Sequence, residues 1–379
     1  MHRQNLRSHL KSLLDHQRDH RANLPNHQGC RRPLLLPSPR RVLRCEGMSE
    51  IRQDKTTGQW VVFATARAKR PYQFRQQGAK EGEPVPYDKA CPFCPGNEAM
   101  LPSIILEMPG KETGGWQTRV VPNKFPALTP DGDTARIREG IYVAMPGYGR
   151  HEVIIESPYH NDHVATMPVD HVRAIVETYH RRFTDLVKEH RNMMILVFRN
   201  RGAQAGTSLI HPHSQVIVTG MVPGYIRWRE EEAQRYFDAW GRCVYCDIIE
   251  FEMRDRKRVV FENSSFLAFV PYAAEVPFEI WILPKRHQAS FGQISDESKV
   301  DLAASLRDIL GRLHSRLENP DYNYIIVTPP TYKADEPQLH WYLQIRPRLT
   351  TRAGFEIGSG ISINPSLPEA DADFLNKGK

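Results

Sequence analysis

His211-Pro-His-Ser-Gln215 and His340-Trp-Tyr-Leu-Gln-Ile345 stand at matching points of a chain that repeats itself. Working back from each, the same succession of elements appears twice. The first copy begins with Cys91-Pro-Phe-Cys94, followed by the apolar stretch Arg119–Leu128 and the β-rich run Glu152–His160. A helical segment over about 168–190 follows, with Val172, Ile175, Val176, Tyr179, Phe183 and Leu186 at helical spacing. The strand Met193–Phe198 then leads to His211. The second copy begins with Cys243-Val-Tyr-Cys246 and continues through Phe266–Val270 and the strand Phe278–His287. A helical segment over about 295–318 carries Leu302, Leu306, Ile309 and Leu313, and the strand Tyr324–Val327 leads to His340. From His160 to His211 is 51 residues, and from His287 to His340 is 53. Internal repetition of this kind decides the fold class. It is α+β: tandem duplicated domains, each an antiparallel sheet with helices on one face. β-branched content and flanking prolines favour strands over buried helical turns in the short apolar runs.

Each copy offers two thiols and two imidazoles, the set that zinc takes tetrahedrally. Cys91, Cys94, His160 and His211 are candidates for one structural zinc site. Cys243, Cys246, His287 and His340 are candidates for the other. Paired CxxC motifs in a chain of this size favour metal over disulfides. A redox CxxC would sit at a helix N-terminus directly after a strand, whereas the Pro and Gly after Cys94 favour a knuckle turn.

On a strand, residues i, i+2 and i+4 share a face. His211, His213 and Gln215 are therefore expected to point one way, with His211 on the metal and His213 free beside it. A neutral imidazole is a competent nucleophile near pH 7, and Gln215 offers an amide to a phosphate oxygen. In the second copy the residue matching His213 is Tyr342, so only the first copy is expected to be catalytic. Upstream, Asn200-Arg-Gly-Ala-Gln-Ala-Gly-Thr-Ser208 reads as a phosphate cradle: Gly202 and Gly206 permit close backbone approach, and Ser208 adds a hydroxyl. Arg67 and Arg70, in Arg67-Ala-Lys-Arg-Pro71, concentrate positive charge suited to phosphate.

The chain has 379 residues and a net charge of +7, all of which falls within residues 1–47. Beyond that segment acidic and basic residues balance, so the charge does not argue for nucleic acid as a partner of the body. Residues 1–47 are expected to be a disordered basic extension, and Met48 reads as a natural start of the protein. No apolar run approaches the ~20 residues of a membrane span. The expectation is a soluble, cytoplasmic protein with no membrane partner.

Taken together, these motifs resemble the galactose-1-phosphate uridylyltransferase family of the histidine-triad superfamily. The resemblance runs from about Gln59 to Pro365 and includes RAKRP (67–71), CPFC (91–94), RVVPNKFPAL (119–128), SPYH (157–160), FRNRGAQAGTS (198–208), HPHSQ (211–215), VPYAAEVPFEIWILPKRH (270–287) and HWYLQI (340–345). It implies a catalytic histidine-triad-like domain over 48–230, a non-catalytic one over 231–370, and commonly a homodimer. It also implies a ping-pong nucleotidyltransferase in which His213 is transiently nucleotidylated by a nucleotide sugar, releasing a sugar 1-phosphate, before a second phosphate acceptor is served. Asn200, Gly206, Ser208 and Gln215 then contact phosphate or nucleotide, Arg67 and Arg70 lie near phosphates, and Asn123 belongs to a nucleotide-contacting region.

The first reading is hexose-1-phosphate uridylyltransfer in galactose metabolism. The family's bacterial members carry iron-binding histidines where this chain has Gln344 and Arg346. In that departure, and in GFEIGSGISINP (354–365), the chain is similar to plant ADP-glucose phosphorylase, which passes adenylyl to phosphate. A reading of another class is a non-catalytic, zinc-stabilised nucleotide-binding module.

Overall fold

Ten strands line up in one sheet whose two halves have the same internal order. In chain order these are β1 (Leu106–Pro109), β2 (Trp116–Pro122), β3 (Gly149–Ile155), β4 (Met194–Arg201), β5 (His213–Thr219), β6 (Val259–Glu262), β7 (Phe266–Phe269), β8 (Ile280–Pro284), β9 (Tyr322–Val327) and β10 (Tyr342–Pro347). The order across the sheet is β6-β7-β8-β10-β9-β4-β5-β3-β2-β1. Each half thus follows one rule, β1-β2-β3-β5-β4 and β6-β7-β8-β10-β9, and the halves join where β4 and β9 pair. All these pairings are antiparallel, so the α+β duplication read from the sequence is the architecture observed. The computed structural model describes residues 49–69, 85–110 and 115–377. The basic extension 1–47, Met48 and Arg70 lie outside the described residues.

Two long helices cover one face. Helix α1 (Val169–Val187) follows β3, and helix α4 (Asp296–Arg316) occupies the same place after β8. Their apolar stripes meet each other and the sheet in one core that includes Val172, Ile175, Tyr179, Leu302, Leu306 and Ile309. Full burial of each such side chain contributes about 1.5–3 kcal/mol. The Ser295 hydroxyl caps α4 by accepting from the Ser298 N–H at 3.2 Å, with Asp296 and Glu297 in the first turn and His314 and Arg316 in the last. Both sets of charges oppose the helix dipole.

β5 shows how the two faces are divided. Ser214, Val216 and Val218 are buried toward the helices, while Gln215, Ile217 and Thr219 are less so. The opposite face carries two smaller apolar clusters, one around Cys91, Phe93, Cys94 and Trp116 and one around Cys243, Tyr245, Trp281 and Tyr342. The shorter helices are α2 (Gly224–Trp240), α3 (Val244–Asp255), α5 (Gly354–Ser359) and α6 (Pro368–Asn376). Among the described residues, no helix is long and apolar enough to cross a membrane.

Three strands differ from expectation. The run to His160 leaves the sheet after Ile155. The strand expected over 278–287 spans only Ile280–Pro284, because Phe278 adopts φ 58° with its N–H held by the Asp371 carboxylate at 2.8 Å. β5 starts at His213, so His211 lies just outside the strand, with Phe93 against both its ring and that of His213.

Candidate active site and metal centres

The chain leaves and re-enters the sheet at equivalent points in the two halves, and this gathers the eight cysteines and histidines. In the first half CxxC precedes β1, His160 follows β3 and His211 precedes β5. In the second half CxxC precedes β6, His287 follows β8 and His340 precedes β10. Within each set of four, one ligand atom per residue lies within 4.8 Å of all the others. The Cys94 Sγ is 3.5 Å from His160 Nδ1 and 3.6 Å from His211 Nδ1, and the Cys91 Sγ is 3.7 Å from His211 Nδ1. In the second set the Cys246 Sγ is 3.3 Å from His287 Nδ1 and 3.7 Å from His340 Nδ1. A zinc tetrahedron with bonds of ~2.0–2.3 Å has edges of about 3.3–3.8 Å, so the donor sets fit such an ion.

Neighbouring backbone prepares the donors. His211 Nε2–H donates to the Ser157 carbonyl at 2.8 Å, and His340 Nε2–H to that of Pro284 at 3.0 Å. Each bond fixes a tautomer whose Nδ1 lone pair faces the thiols. Burial lowers the His211 pKa to about 4, which keeps the ring neutral. Burial pushes the Cys91 thiol up to about 11, so the thiolate needs a compensating cation. The Asp88 N–H donates to Cys94 Sγ at 3.3 Å, and Gly96 at φ 89° turns the chain just past the pair. This is the knuckle turn that Pro95 and Gly96 foretell. The second pair differs: Cys243 is the N-cap of α3 and follows helix α2 through Gly241, not a strand. The first set is wholly buried, whereas Cys246 is half-buried and His287 exposed.

His213, the first residue of β5, is buried with its ring edge against Phe93 at 5.5 Å between centroids. Its Nδ1–H donates to the His211 carbonyl at 2.8 Å. The Nε2 therefore carries the lone pair, and it has no hydrogen-bond partner among the described residues. Burial depresses the His213 pKa below its ordinary value, against the pull of that carbonyl. The ring is neutral and nucleophilic at pH 7.

Of the other expected site residues, Gln215 shares the His213 face of β5 and meets Asn123 through His151. The Ala127 N–H donates to His151 Nδ1 at 3.2 Å, so His151 Nε2–H donates to Gln215 Oε1, 2.7 Å away. The Asn123 side-chain nitrogen lies 3.1 Å from the same His151 Nε2. With its carbonyl occupied, Gln215 has its NH2 to offer to a ligand. Asn200 lies at the end of β4, and its carbonyl accepts from Asn323. Gly202 and Gly206 have φ of 87° and 86°, conformations in which a side chain is strained. Ser208 is exposed. Arg67 is half-buried in the turn Thr65–Lys69, off the ten-stranded sheet, and forms no ion pair among the described residues.

Sequence reading missed the scaffold beneath His213. Glu156 is fully buried and takes a bond from Arg199 at 2.8 Å and from Tyr179 at 2.9 Å, as well as from the hydroxyl of Ser214, the neighbour of His213. Burial alone would raise the Glu156 pKa, but Arg199 and the hydroxyls outweigh it, so the carboxylate is ionised. Arg199 also donates to the Tyr322 hydroxyl at 3.0 Å, across the junction of the halves.

The place of His213 in the second half is filled. Tyr342 stacks on Trp281 at 4.7 Å, and its hydroxyl accepts from the buried guanidinium of Arg229 on α2.

Two family models match the chain in succession: the galactose-1-phosphate uridyl transferase N-terminal domain over residues 39–223, and the C-terminal domain over 229–353. The ADP-glucose phosphorylase of Arabidopsis thaliana is 37% identical over 333 residues, spanning 86% of this chain and 92% of that protein. The galactose-1-phosphate uridylyltransferase of Thermotoga maritima is 28% identical, spanning 87% and 98%. A crystal structure of an Arabidopsis thaliana ADP-glucose phosphorylase with bound ADP-glucose superposes with a TM-score of 0.76 at 34% identity, covering 88% of this chain and 99% of that one. A uridylyltransferase structure gives 0.66 at 27% identity, covering 87% and 97%.

Proposed function

The chain belongs to the galactose-1-phosphate uridyl transferase family, and from that premise we propose that it transfers a nucleotidyl group from a nucleotide sugar through His213. The observation that carries this reading is the bond from His213 Nδ1–H to the His211 carbonyl, which leaves Nε2 as the basic atom. In the first step Nε2 attacks the α-phosphorus. A P–N bond forms, the P–O bond to the β-phosphate breaks, and sugar 1-phosphate leaves. In the second step an oxygen of the acceptor phosphate attacks the same phosphorus, the P–N bond breaks, and the neutral imidazole returns. While nucleotidylated the ring is cationic, and the His211 carbonyl on Nδ1–H stabilises it. The NH2 groups of Asn200 and Gln215, with Gly206 and Ser208, are assigned to phosphate oxygens, where pre-oriented donors lower the barrier. Asn123, Arg67 and Arg70 are assigned to the nucleotide and its phosphates.

Zinc at Cys91, Cys94, His160 and His211 would have four protein ligands, and its role there is to fix His211. The second set is assigned to a second structural zinc. Residues 48–230 are taken as the catalytic domain and 231–370 as its non-catalytic partner.

Two donors are in play. UDP-glucose with galactose 1-phosphate as acceptor fits the family models. ADP-glucose with phosphate as acceptor is favoured by the higher identity to the Arabidopsis phosphorylase, 37% against 28%. A cytoplasmic homodimer completes the proposal.

Isotope exchange tests the mechanism. Labelled glucose 1-phosphate should enter ADP-glucose or UDP-glucose with no acceptor present, and the donor that supports exchange identifies the nucleotide. Exchange that requires an acceptor would contradict the ping-pong scheme.

A further inference from the structure

Resting on the nucleotidyl-His213 reading, we infer that Asn323, a residue of the second half, is a positioning residue for the chemistry of the first. Asn323 on β9 stands directly opposite Asn200 on β4, at the seam where the halves join. Its side-chain NH2 has two hydrogens, and both are used. One goes to Asn200 Oδ1 at 2.8 Å, the other to the carbonyl of Ala205 at 2.9 Å.

The first bond decides which way Asn200 faces. A side-chain amide is nearly symmetric in shape, and only its hydrogen bonds choose between its two orientations. A phosphate oxygen only accepts, so Asn200 serves a phosphate only if its NH2 faces the ligand. Asn323 takes the oxygen and thereby selects that orientation.

The second bond holds the glycine loop. Ala205 immediately precedes Gly206, whose φ of 86° turns the chain toward Ser208. Two more residues of the second half hold the same loop. The Asp321 carboxylate accepts from the Gln204 N–H at 2.8 Å, and Arg348 Nε donates to the Gln204 carbonyl at 3.2 Å. The loop's shape is therefore imposed from across the seam. This gives the second half a part in the reaction although Tyr342 replaces the nucleophile there.

Asn323→Asp tests the inference with little change in size. The carboxylate cannot donate to Asn200 Oδ1, so Asn200 turns its NH2 toward residue 323 and away from the site. Asn323→Thr, neutral and suited to a strand, checks that any effect is not one of added charge. Nucleotide-adduct formation on the full-length, metal-loaded chain would be followed by rapid quench and intact mass, with ADP-glucose and with UDP-glucose. The inference predicts a rate constant lowered roughly ten-fold or more, the value of one oriented hydrogen bond. The adduct amplitude per chain and the melting temperature should stay near wild type. In an Asn200→Ala background, Asn323→Asp or Asn323→Thr should slow the reaction by much less, because the two residues act as one unit.

An unchanged rate constant in both variants, a loss confined to amplitude, or full additivity with Asn200→Ala would overturn the inference and leave the nucleotidyl-His213 reading intact. Wild type that forms no adduct with either donor would overturn that reading and this inference together.

Discussion

His213 and Tyr342 are each the first residue of the equivalent strand in the two halves, yet their surroundings are opposite. His213 Nε2 has no protein partner among the described residues, whereas the Tyr342 hydroxyl is held by buried Arg229. Tyr342→Phe should therefore leave nucleotidyl transfer within about two-fold of wild type. It should lower stability by about 1–3 kcal/mol, because a buried guanidinium loses an acceptor. Denaturant unfolding beside steady-state kinetics checks both parts, and a large loss of rate at unchanged stability would contradict the assignment.

The two Cys/His clusters, if each holds zinc as proposed, should separate by function. Cys246→Ser should remove one zinc equivalent per chain and leave adduct formation largely intact. Cys94→Ser should remove the other and slow adduct formation by roughly 10–100-fold. The asymmetry arises because His211 gives its Nδ1 to the first centre and its carbonyl to His213. Elemental analysis of each purified variant gives the metal count. Equal kinetic losses from the two substitutions would contradict this coupling.

Gly202→Ala should be among the more damaging single-atom-scale changes in the loop. Gly202 has φ 87°, and a Cβ there would collide with the Asp321 carboxylate. Strain of this kind costs about 1–3 kcal/mol before any collision is counted. Asp321→Gly should relieve the collision but not the strain. The double variant should then lose less than the sum of the singles, measured by thermal or denaturant unfolding.

Asp371 gives stability a pH dependence of defined sign. Burial raises its pKa from 3.8 to about 6, although Ser366 and the Phe278 N–H favour the charged form. Between these two values the folded chain holds more protons than the unfolded chain. The contribution of Asp371 to stability therefore falls as pH rises from about 4 to 6. Asn in its place keeps an acceptor for Phe278 and does not titrate. On acidification from pH 7 to pH 5, wild type should gain stability relative to Asp371→Asn in paired melting curves. A constant difference between the two would contradict the shift.

Much of this arrangement could be read from short-range pattern. The helices expected over 168–190 and 295–318 span Val169–Val187 and Asp296–Arg316, because apolar spacing is a local signal. The eight cysteines and histidines converge because each copy places them at the same steps. What was not legible depends on distant partners. His211 lies before β5, where its ring reaches the distant cluster cysteines and the Ser157 carbonyl. Asn323, Asp321 and Arg348 carry no motif, and they matter only because β9 pairs with β4 more than a hundred residues away. Glu156 and His151 likewise look like ordinary polar residues until the sheet places them under and beside β5.

Intact-protein mass spectrometry after brief exposure to ADP-glucose or, separately, UDP-glucose tests the central claim most directly. Wild type should gain one nucleotidyl mass with at least one donor, lose it on addition of the matching acceptor, and show none of it as His213→Ala. Metal-replete wild type that gains no adduct from either donor, or a His213→Ala variant that still gains one, would contradict the account.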